Sequence, residues 1–340
     1  MARKVEHSML TSAKTSKKDE FYTQLSDIER ELKHYKNHFK GKVVLCNCDD
    51  PRVSNFFHFF SYNFEKFGLK KLIATCYKNQ EMDLFSENKS EQAIYLEYTG
   101  DKNGNNVPDA NEIGIKPLKG DGDFRSKECI ELLKQADIVV TNPPFSLFRE
   151  YVAQLIEYDK KFLIIGNINA ISYKEIFKLI KENKAWLGMN MGRGISGFIV
   201  PKHYELYGSE ARVDENGNRI VATNNCLWLT NLDNAKRHEE LILYKNYTPE
   251  EYPTYDNYDA INVDKTKDIP MDYKGAMGVP ITFLDKFNPD QFEILGMASS
   301  AGYNEDIVGV PFLGEKDARP IVNGKNTYAR VFIKNKKIWT

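Results

Sequence analysis

The sequence predicts an α/β fold, a doubly wound and mainly parallel sheet followed by a mixed, loop-rich carboxyl-terminal region. From residue 40 to 190, short apolar runs alternate with segments of helical periodicity, which is how parallel βαβ units read. Beyond Pro201 the alternation stops, and short strand-like runs stand among Tyr, Asn, Asp and Pro. One apolar run, Asp137 to Thr141, ends in Asn142-Pro143-Pro144-Phe145. Prolines cannot donate to a strand ladder, so this tip closes the strand where open α/β sheets bind their ligands.

Taken in order, residues 20–40 carry Ile28, Leu32 and Tyr35 at helical spacing on a charged background. KVVLCN (42–47) is a short apolar strand. DDPRVSNFFHFFSYNFEKFG (49–68) reads as an aromatic-rich helix with Asp and Pro at its start and Gly68 at its close. KKLIATCY (70–77) is a second strand. Residues 78–114 are polar and rich in Asn and Gly, an excursion with one strand-like run at IYLEY (94–98). IKPLKGDGDF (115–124) passes from a short strand into a glycine turn. SKECIELLKQA (126–136) is a helix, DIVVT (137–141) a strand, and SLFREYVAQLIEY (146–158) a helix opened by the proline tip. KKFLIIGNI (160–168) and SYKEIFKLIKEN (172–183) repeat the unit before AWLGM (185–189). In the last region NNCLWLTN (224–231) and YARVFIKN (328–335) are strand-like, and DENGNRI (214–220) carries an Asn-Gly hairpin tip.

The 340 residues are 41% hydrophobic and 28% charged, ordinary values for a globular chain of one large domain or two smaller ones. No run approaches the roughly 18 apolar residues of a membrane span, and the lysine-rich amino terminus lacks the apolar core of a secretory signal. A cytoplasmic location is expected. Cys46, Cys48, Cys76, Cys129 and Cys226 are scattered through apolar runs and read as buried thiols, not a disulfide framework. Cys46 and Cys48 are too close for a zinc pair, the six histidines show no ligand spacing, and no metal is expected. A formal net charge of −1 argues against coating nucleic acid by bulk charge and leaves room for a local basic groove. Lys14, Lys17 and Lys18 near the start, and Lys334, Lys336 and Lys337 near the end, are candidates to line one; solvated tails are the plain alternative.

The proline tip has a chemistry of its own. Asn142 offers a carbonyl acceptor, two prolines fix the direction of the Pro143 carbonyl, and Phe145 adds a flat ring. Two acceptors beside an aromatic plate suit a planar ligand bearing an NH2 group. Methyl transfer to the adenine amino nitrogen needs such a pair, because its lone pair is delocalised until both hydrogens are held. A strand-ending turn with a buried phenylalanine is the plain alternative. By itself, Gly120-Asp-Gly-Asp123 is equally a turn or a weak cation loop.

An Asp, Asn or Ser before Pro-Pro-aromatic at a strand end resembles the catalytic motif of amino-methyltransferases, and Asn in first place resembles the adenine-N6 type. KKDEFYTQ (17–24), KVVLCNCDDPRVSNFF (42–57), KGDGDFRS (119–126), ADIVVTNPPFSLFREY (136–151), GRGISGFIVPKHYELYG (192–208) and TNNCLWLTNL (223–232) resemble the EcoRI DNA methyltransferase family. The resemblance runs from about residue 15 to about residue 295. It implies a Rossmann-like methyltransferase sheet with a carboxyl-terminal DNA-recognition region, and S-adenosyl-L-methionine as cofactor. It also implies site-specific methylation of adenine N6 in double-stranded DNA by base flipping, within a restriction–modification system whose endonuclease is a genetic partner. GAATTC becomes a candidate site, read by a monomer or weak dimer.

On this resemblance Asn142, Pro143, Pro144 and Phe145 are catalytic. Phe21, Tyr22 and Thr23 would contact the methionine end of the cofactor. Asn47, Asp49 and Asp50 stand where most amino-methyltransferases carry a glycine loop; its absence here departs from that general pattern and agrees with the EcoRI type. Asp121, Asp123 and Phe124 would hold the cofactor adenine, and the second strand lacks the acid that usually binds ribose. The expected partition is a basic arm at 1–18, a cofactor and catalytic domain at 19–195 and a recognition region at 196–340. Arg193 is a candidate phosphate or guanine contact, or a solvated arginine. YPTYDNYDAINVDKTKDIP (252–270) is a recognition candidate, or a polar surface loop. The competing functions are methylation of RNA adenine or protein glutamine, and an inactive nucleic-acid-binding relative.

Overall fold

The computed structural model describes residues 22–49, 54–76, 93–105, 107–109, 111–191, 195–200, 206, 211–221, 225–298, 308–314 and 319–338. Two compact units emerge, Met1–Ile168 with Gly188–Leu232, and Asn169–Leu187 with Asp233–Thr340.

The first unit opens with strand β1 (Tyr22–Thr23) and helix α1 (Leu25–Leu32), which tightens into a 3₁₀ turn over Lys33–His38. Then come β2 (Val43–Cys46), α2 (Asn55–Tyr62), α3 (Phe64–Phe67) and β3 (Lys71–Thr75). After β4 (Ile94–Tyr98) and β5 (Gly114–Pro117) follow α4 (Lys127–Gln135), β6 (Ile138–Thr141), α5 (Phe148–Glu157) and β7 (Lys161–Asn167). The unit closes with β8 (Phe198–Val200), β9 (Arg212–Val213), β10 (Arg219–Val221) and β11 (Cys226–Thr230).

Its main sheet runs β5–β4–β3–β2–β6–β7–β11. The four middle strands, β3, β2, β6 and β7, are mutually parallel. Buried on both faces, they read as unbroken apolar runs, as parallel strands must. Against them packs an edge-to-face cluster in which Phe59 and Phe60 lie 5.3 Å apart and Phe39 and Phe60 5.1 Å apart. A second sheet, β1–β8–β10–β9, is antiparallel, and Gly217 at φ 79 closes the expected hairpin between β9 and β10.

Three expectations need correcting. The sheet is mixed, because β4 and β5 join antiparallel to β3 and to each other. Among the described residues between β4 and β5 there is a chain of Asx turns and no crossover helix, so a parallel pairing has no connection to carry it. NNCLWLTN supplies β11, which pairs with β7 in this first sheet and not in the carboxyl-terminal region, and its Trp228 is wholly buried. The aromatic helix is broken at Asn63 into α2 and α3 and ends at Gly68 in the left-handed conformation.

In the second unit, α6 (Lys174–Lys181) accompanies β12 (Ile261–Asn262), β13 (Met277–Pro280), β14 (Phe292–Ala298) and β15 (Arg330–Asn335). These strands run in the order β12–β13–β15–β14. Here the 252–270 stretch departs from its reading as a surface loop. Tyr252, Tyr255, Tyr258, Ile261 and Val263 are buried, and the Tyr255 hydroxyl donates to Asn262 Oδ1 at 2.8 Å. Tyr255 and Tyr258 pack inward against Phe332, and Tyr252 against Tyr247, leaving Asp256, Asp259, Lys265 and Lys267 outside.

The loop after β5 folds back onto the end of β3. Gly122 sits at φ +81, where a Cβ would lie 2.0 Å from the Cys76 carbonyl oxygen. Gly122→Ala must therefore displace this loop or strain it, at a cost of about 1–3 kcal/mol. Chemical denaturation reads that loss; a wild-type midpoint would refute the close approach.

Candidate active site

The carboxyl ends of β2 and β6 and the loop after β5 each deliver residues singled out in the sequence. Asn142 follows β6 directly and is buried with Pro143, while Pro144 and Phe145 are half-buried. Phe145 opens a short 3₁₀ turn that leads into α5. The start of α5 is pinned by Phe148, whose ring fills the space beside Gly166 of β7; a Cβ there would lie 2.6 Å from the ring.

The ring of Phe145 meets Phe198 edge-on at 6.3 Å. Phe198 lies opposite Thr23 in the β1–β8 ladder, so the amino-terminal motif is drawn beside the proline tip. The Thr23 carbonyl accepts from Asn55 Nδ2 at 2.8 Å, which ties β1 to α2. Thr23 Oγ1 is buried and has no hydrogen-bond partner among the described residues. Such an orphaned hydroxyl fits a polar ligand.

At the end of β2 the glycine-free loop still bends as glycine would, because Cys48 takes φ 83. A non-glycine residue in that region costs about 1–2 kcal/mol. The Asn47 main-chain carbonyl accepts from the Thr141 hydroxyl, and its side-chain Oδ1 accepts from the Tyr151 hydroxyl. Asp49 accepts from Ser54 Oγ at 3.3 Å. Burial pushes the Cys46 and Cys48 thiols well above their ordinary values, so they stay protonated. Among the described residues, no group of three or more His, Cys, Asp or Glu side chains is arranged to hold a metal ion.

Asp121 and Asp123 turn partly inward to the chain. Asp121 Oδ1 accepts the Asp123 amide at 3.0 Å. The Asp123 carboxylate takes a forked pair from Arg125 at 2.6 and 2.9 Å, and Arg125 reaches Glu150 of α5 at 3.0 Å. The guanidinium hydrogen bonds hold the Asp123 carboxyl below the usual range. Phe124 is buried edge-on against Tyr151 at 5.0 Å, and its carbonyl accepts from Gln154 at 3.1 Å. The structure thus links Thr23, Asn47, Phe124 and the proline tip through neighbouring contacts. Phe21, Asp50, Arg193, Lys14, Lys17 and Lys18 lie outside the described residues.

Two important residues carried no signal in the motifs. Asp27 and Glu31, one turn apart on α1, are fully buried. Asp27 Oδ2 accepts from the Ser196 amide at 2.8 Å and its hydroxyl at 2.9 Å. Glu31 accepts from the amides of Met189 and Asn190 at 2.7 and 3.0 Å, the Asn190 side chain at 2.7 Å and the Tyr35 hydroxyl at 3.0 Å. Gly188 makes room, since a Cβ there would lie 2.3 Å from Glu31 Oε1. Burial raises the Asp27 carboxyl pKa, against the lowering pull of Ser196 and Arg30. The available hint was positional: both acids flank the Ile28, Leu32 and Tyr35 stripe and so face inward.

Glu31→Gln turns an acceptor into a donor facing amide donors, and should cost about 1–3 kcal/mol by denaturant unfolding; a loss below 0.5 kcal/mol, on the scale of ordinary surface changes, would contradict the clamp. Asp123 gives a pH signature. Its folded pKa lies below the unfolded value, so its stabilisation is present above the ordinary carboxylate range and is lost as pH falls through the folded pKa. Asp123→Asn should be less stable than wild type at pH 7, with the gap closing as the pH falls below 4. A gap independent of pH would show that the ion pair is not its source.

A family profile described as Adenine-specific methyltransferase EcoRI matches residues 9–336. The chain is 58% identical to Type II methyltransferase M.EcoRI of Escherichia coli over 340 residues, 99% of both chains. It is 40% identical to Type II methyltransferase M.MgeORF184P of Mycoplasma genitalium, covering 96% of this chain and 98% of that one. Against Type II methyltransferase M.MpnI of Mycoplasma pneumoniae the identity is 39%, covering 96% and 97%. No solved structure matches. The chain belongs to the EcoRI family of adenine-specific methyltransferases.

Proposed function

We propose that this enzyme transfers a methyl group to N6 of an adenine within a specific site of double-stranded DNA, as the modification activity of a type II restriction–modification system. The observation that carries the mechanism is the meeting of Phe145 with Phe198, which lies opposite Thr23 and so joins the proline tip to the amino-terminal motif. S-adenosyl-L-methionine, when bound, supplies a methyl group activated by its sulfonium. The chain's own residues do the rest. Thr23 Oγ1, the Asn47 amide and the Asp49 carboxylate suit the polar methionine end, and Asp121 and Phe124 suit the adenine end. Asp123, engaged by Arg125, acts chiefly by shaping that loop.

A target adenine leaves the duplex at a cost of a few kcal/mol. The Asn142 side-chain oxygen and the Pro143 carbonyl accept hydrogen bonds from its two amino hydrogens and favour a pyramidal nitrogen, whose lone pair is then free to attack the methyl carbon. As the N–C bond forms the C–S bond would break, and the methylated nitrogen would give up one proton to water. The exposed face of Phe145 holds the base by stacking, worth about 1–3 kcal/mol. Positioning, in place of a strong base, accounts for most of the acceleration. Residues 19–195 form the cofactor and catalytic part in this reading. Residues 196–340 supply the target-reading surfaces, with β8 to β11 shared between the two roles, and residues 1–18 form a basic arm. Among the described residues no helix is long and apolar enough to cross a membrane, and we place the enzyme in the cytoplasm with its DNA.

Labelled methyl transfer to duplex DNA, RNA and protein tests the substrate class, and sequencing the product DNA locates methyladenine. Absence of label in duplex DNA defeats the reading. Asn142→Ala should lower the rate by about 100-fold or more while the circular dichroism and melting temperature stay near wild type. Near-normal transfer by that variant would remove Asn142 from the mechanism.

A further inference from the structure

We propose that Tyr151 is a positioning residue for the cofactor: its hydroxyl fixes the Asn47 amide so that Nδ2 is presented as a donor to an acceptor oxygen of S-adenosylmethionine. The inference rests on the reading of Asn47 as a cofactor contact.

Tyr151 lies on α5 and is fully buried. Its ring packs against Phe124, and its hydroxyl donates to Asn47 Oδ1. A side-chain amide is planar, with its oxygen and nitrogen on opposite sides of the terminal carbon. Committing Oδ1 to Tyr151 therefore turns Nδ2 the other way. Cys48 Sγ lies 3.6 Å from that same oxygen and adds to the commitment. The main chain of Asn47 is held as well, because its carbonyl accepts from Thr141. Among the described residues no group accepts from Nδ2. Burial keeps the Tyr151 phenol well above its ordinary pKa, so it remains a donor at neutral pH.

This arrangement answers the missing glycine. A glycine loop lets a ligand approach main-chain amides closely. Here Cys48 makes the bend, and an oriented side-chain amide takes over as donor. Tyr151 also touches both candidate ends of the cofactor site, Asn47 through its hydroxyl and Phe124 through its ring.

Tyr151→Phe deletes the hydroxyl and keeps the ring against Phe124. Asn47→Asp keeps an oxygen for Tyr151 and removes the Nδ2 donor. Equilibrium binding of S-adenosylhomocysteine to the full-length protein by calorimetry should weaken about tenfold in Tyr151→Phe, and at least as much in Asn47→Asp. In Tyr151→Phe the KM for S-adenosylmethionine should rise in step, while kcat at saturation and the KM for DNA stay within twofold of wild type. Wild-type binding by Tyr151→Phe alongside lost binding by Asn47→Asp overturns the positioning role and leaves Asn47 as a contact. Wild-type binding by both variants overturns the Asn47 reading itself. Weak binding by Tyr151→Phe with normal binding by Asn47→Asp shows that Tyr151 does not act through Asn47. A parallel fall in kcat, DNA affinity and melting temperature shows a general structural role and likewise overturns the inference.

Discussion

Two carboxylates buried on one short helix organise the first unit. Asp27 and Glu31 project from α1 and are met by main-chain amides of Ser196, Met189 and Asn190, segments more than 150 positions away in the chain. A carboxylate in an apolar interior is tolerated when its oxygens are partnered; the chain bonds both oxygens of Glu31, while at Asp27 it bonds Oδ2 and leaves Oδ1 facing Arg30 at 3.3 Å. The consequence reaches the chemistry. Fixing the segment at Asn190 and Ser196 sets the course of β8, which pairs with β1 and places Phe198 behind Phe145. The amino-terminal motif and the Phe145 ring are thus brought side by side by a clamp built from residues outside both.

The carboxyl ends of the parallel strands show a related economy. Thr141, the last residue of β6, donates to Asn47 just past β2, so the strand that leads into the proline tip and the loop after β2 share one hydrogen bond. Tyr151 and Arg125 bring the third loop to the same helix, α5. Displacing any one strand end would therefore be felt at all of them, which fits a reaction whose rate depends on alignment.

Much of this was readable beforehand. The proline tip, the parallel middle of the sheet and the hairpin at Asp214 follow from local chemistry: prolines end strands, β-branched runs fill buried ones, and Asn-Gly turns tightly. What escaped reading was long-range. Nothing within Ile94–Tyr98 states which way its neighbour runs, because pairing direction depends on the connection and not on the strand. Trp228 and its neighbours look the same whichever sheet they join. The tyrosines of 252–270 read as a surface loop because Asn and Asp surround them, yet all three rings are buried while Asp256, Asp259, Lys265 and Lys267 stay in water. The clamp was hidden for the opposite reason, since Asp27 and Glu31 look like ordinary helix-surface acids until Gly188 is seen to admit one of them.

The division of the chain has an evolutionary consequence. Residues Asn169–Leu187 belong with the second unit although residues on both sides of them belong with the first, so the backbone passes from one unit to the other three times, after Ile168, Leu187 and Leu232. A single recombination event joining the front of one gene to the back of another would leave α6 in a foreign setting or strip Gly188–Leu232, with β8 and β11, from their sheets. New target preferences in such a lineage are therefore expected to arise by point changes and loop replacement within an intact interleaved chain, and wholesale exchange of a terminal cassette is disfavoured.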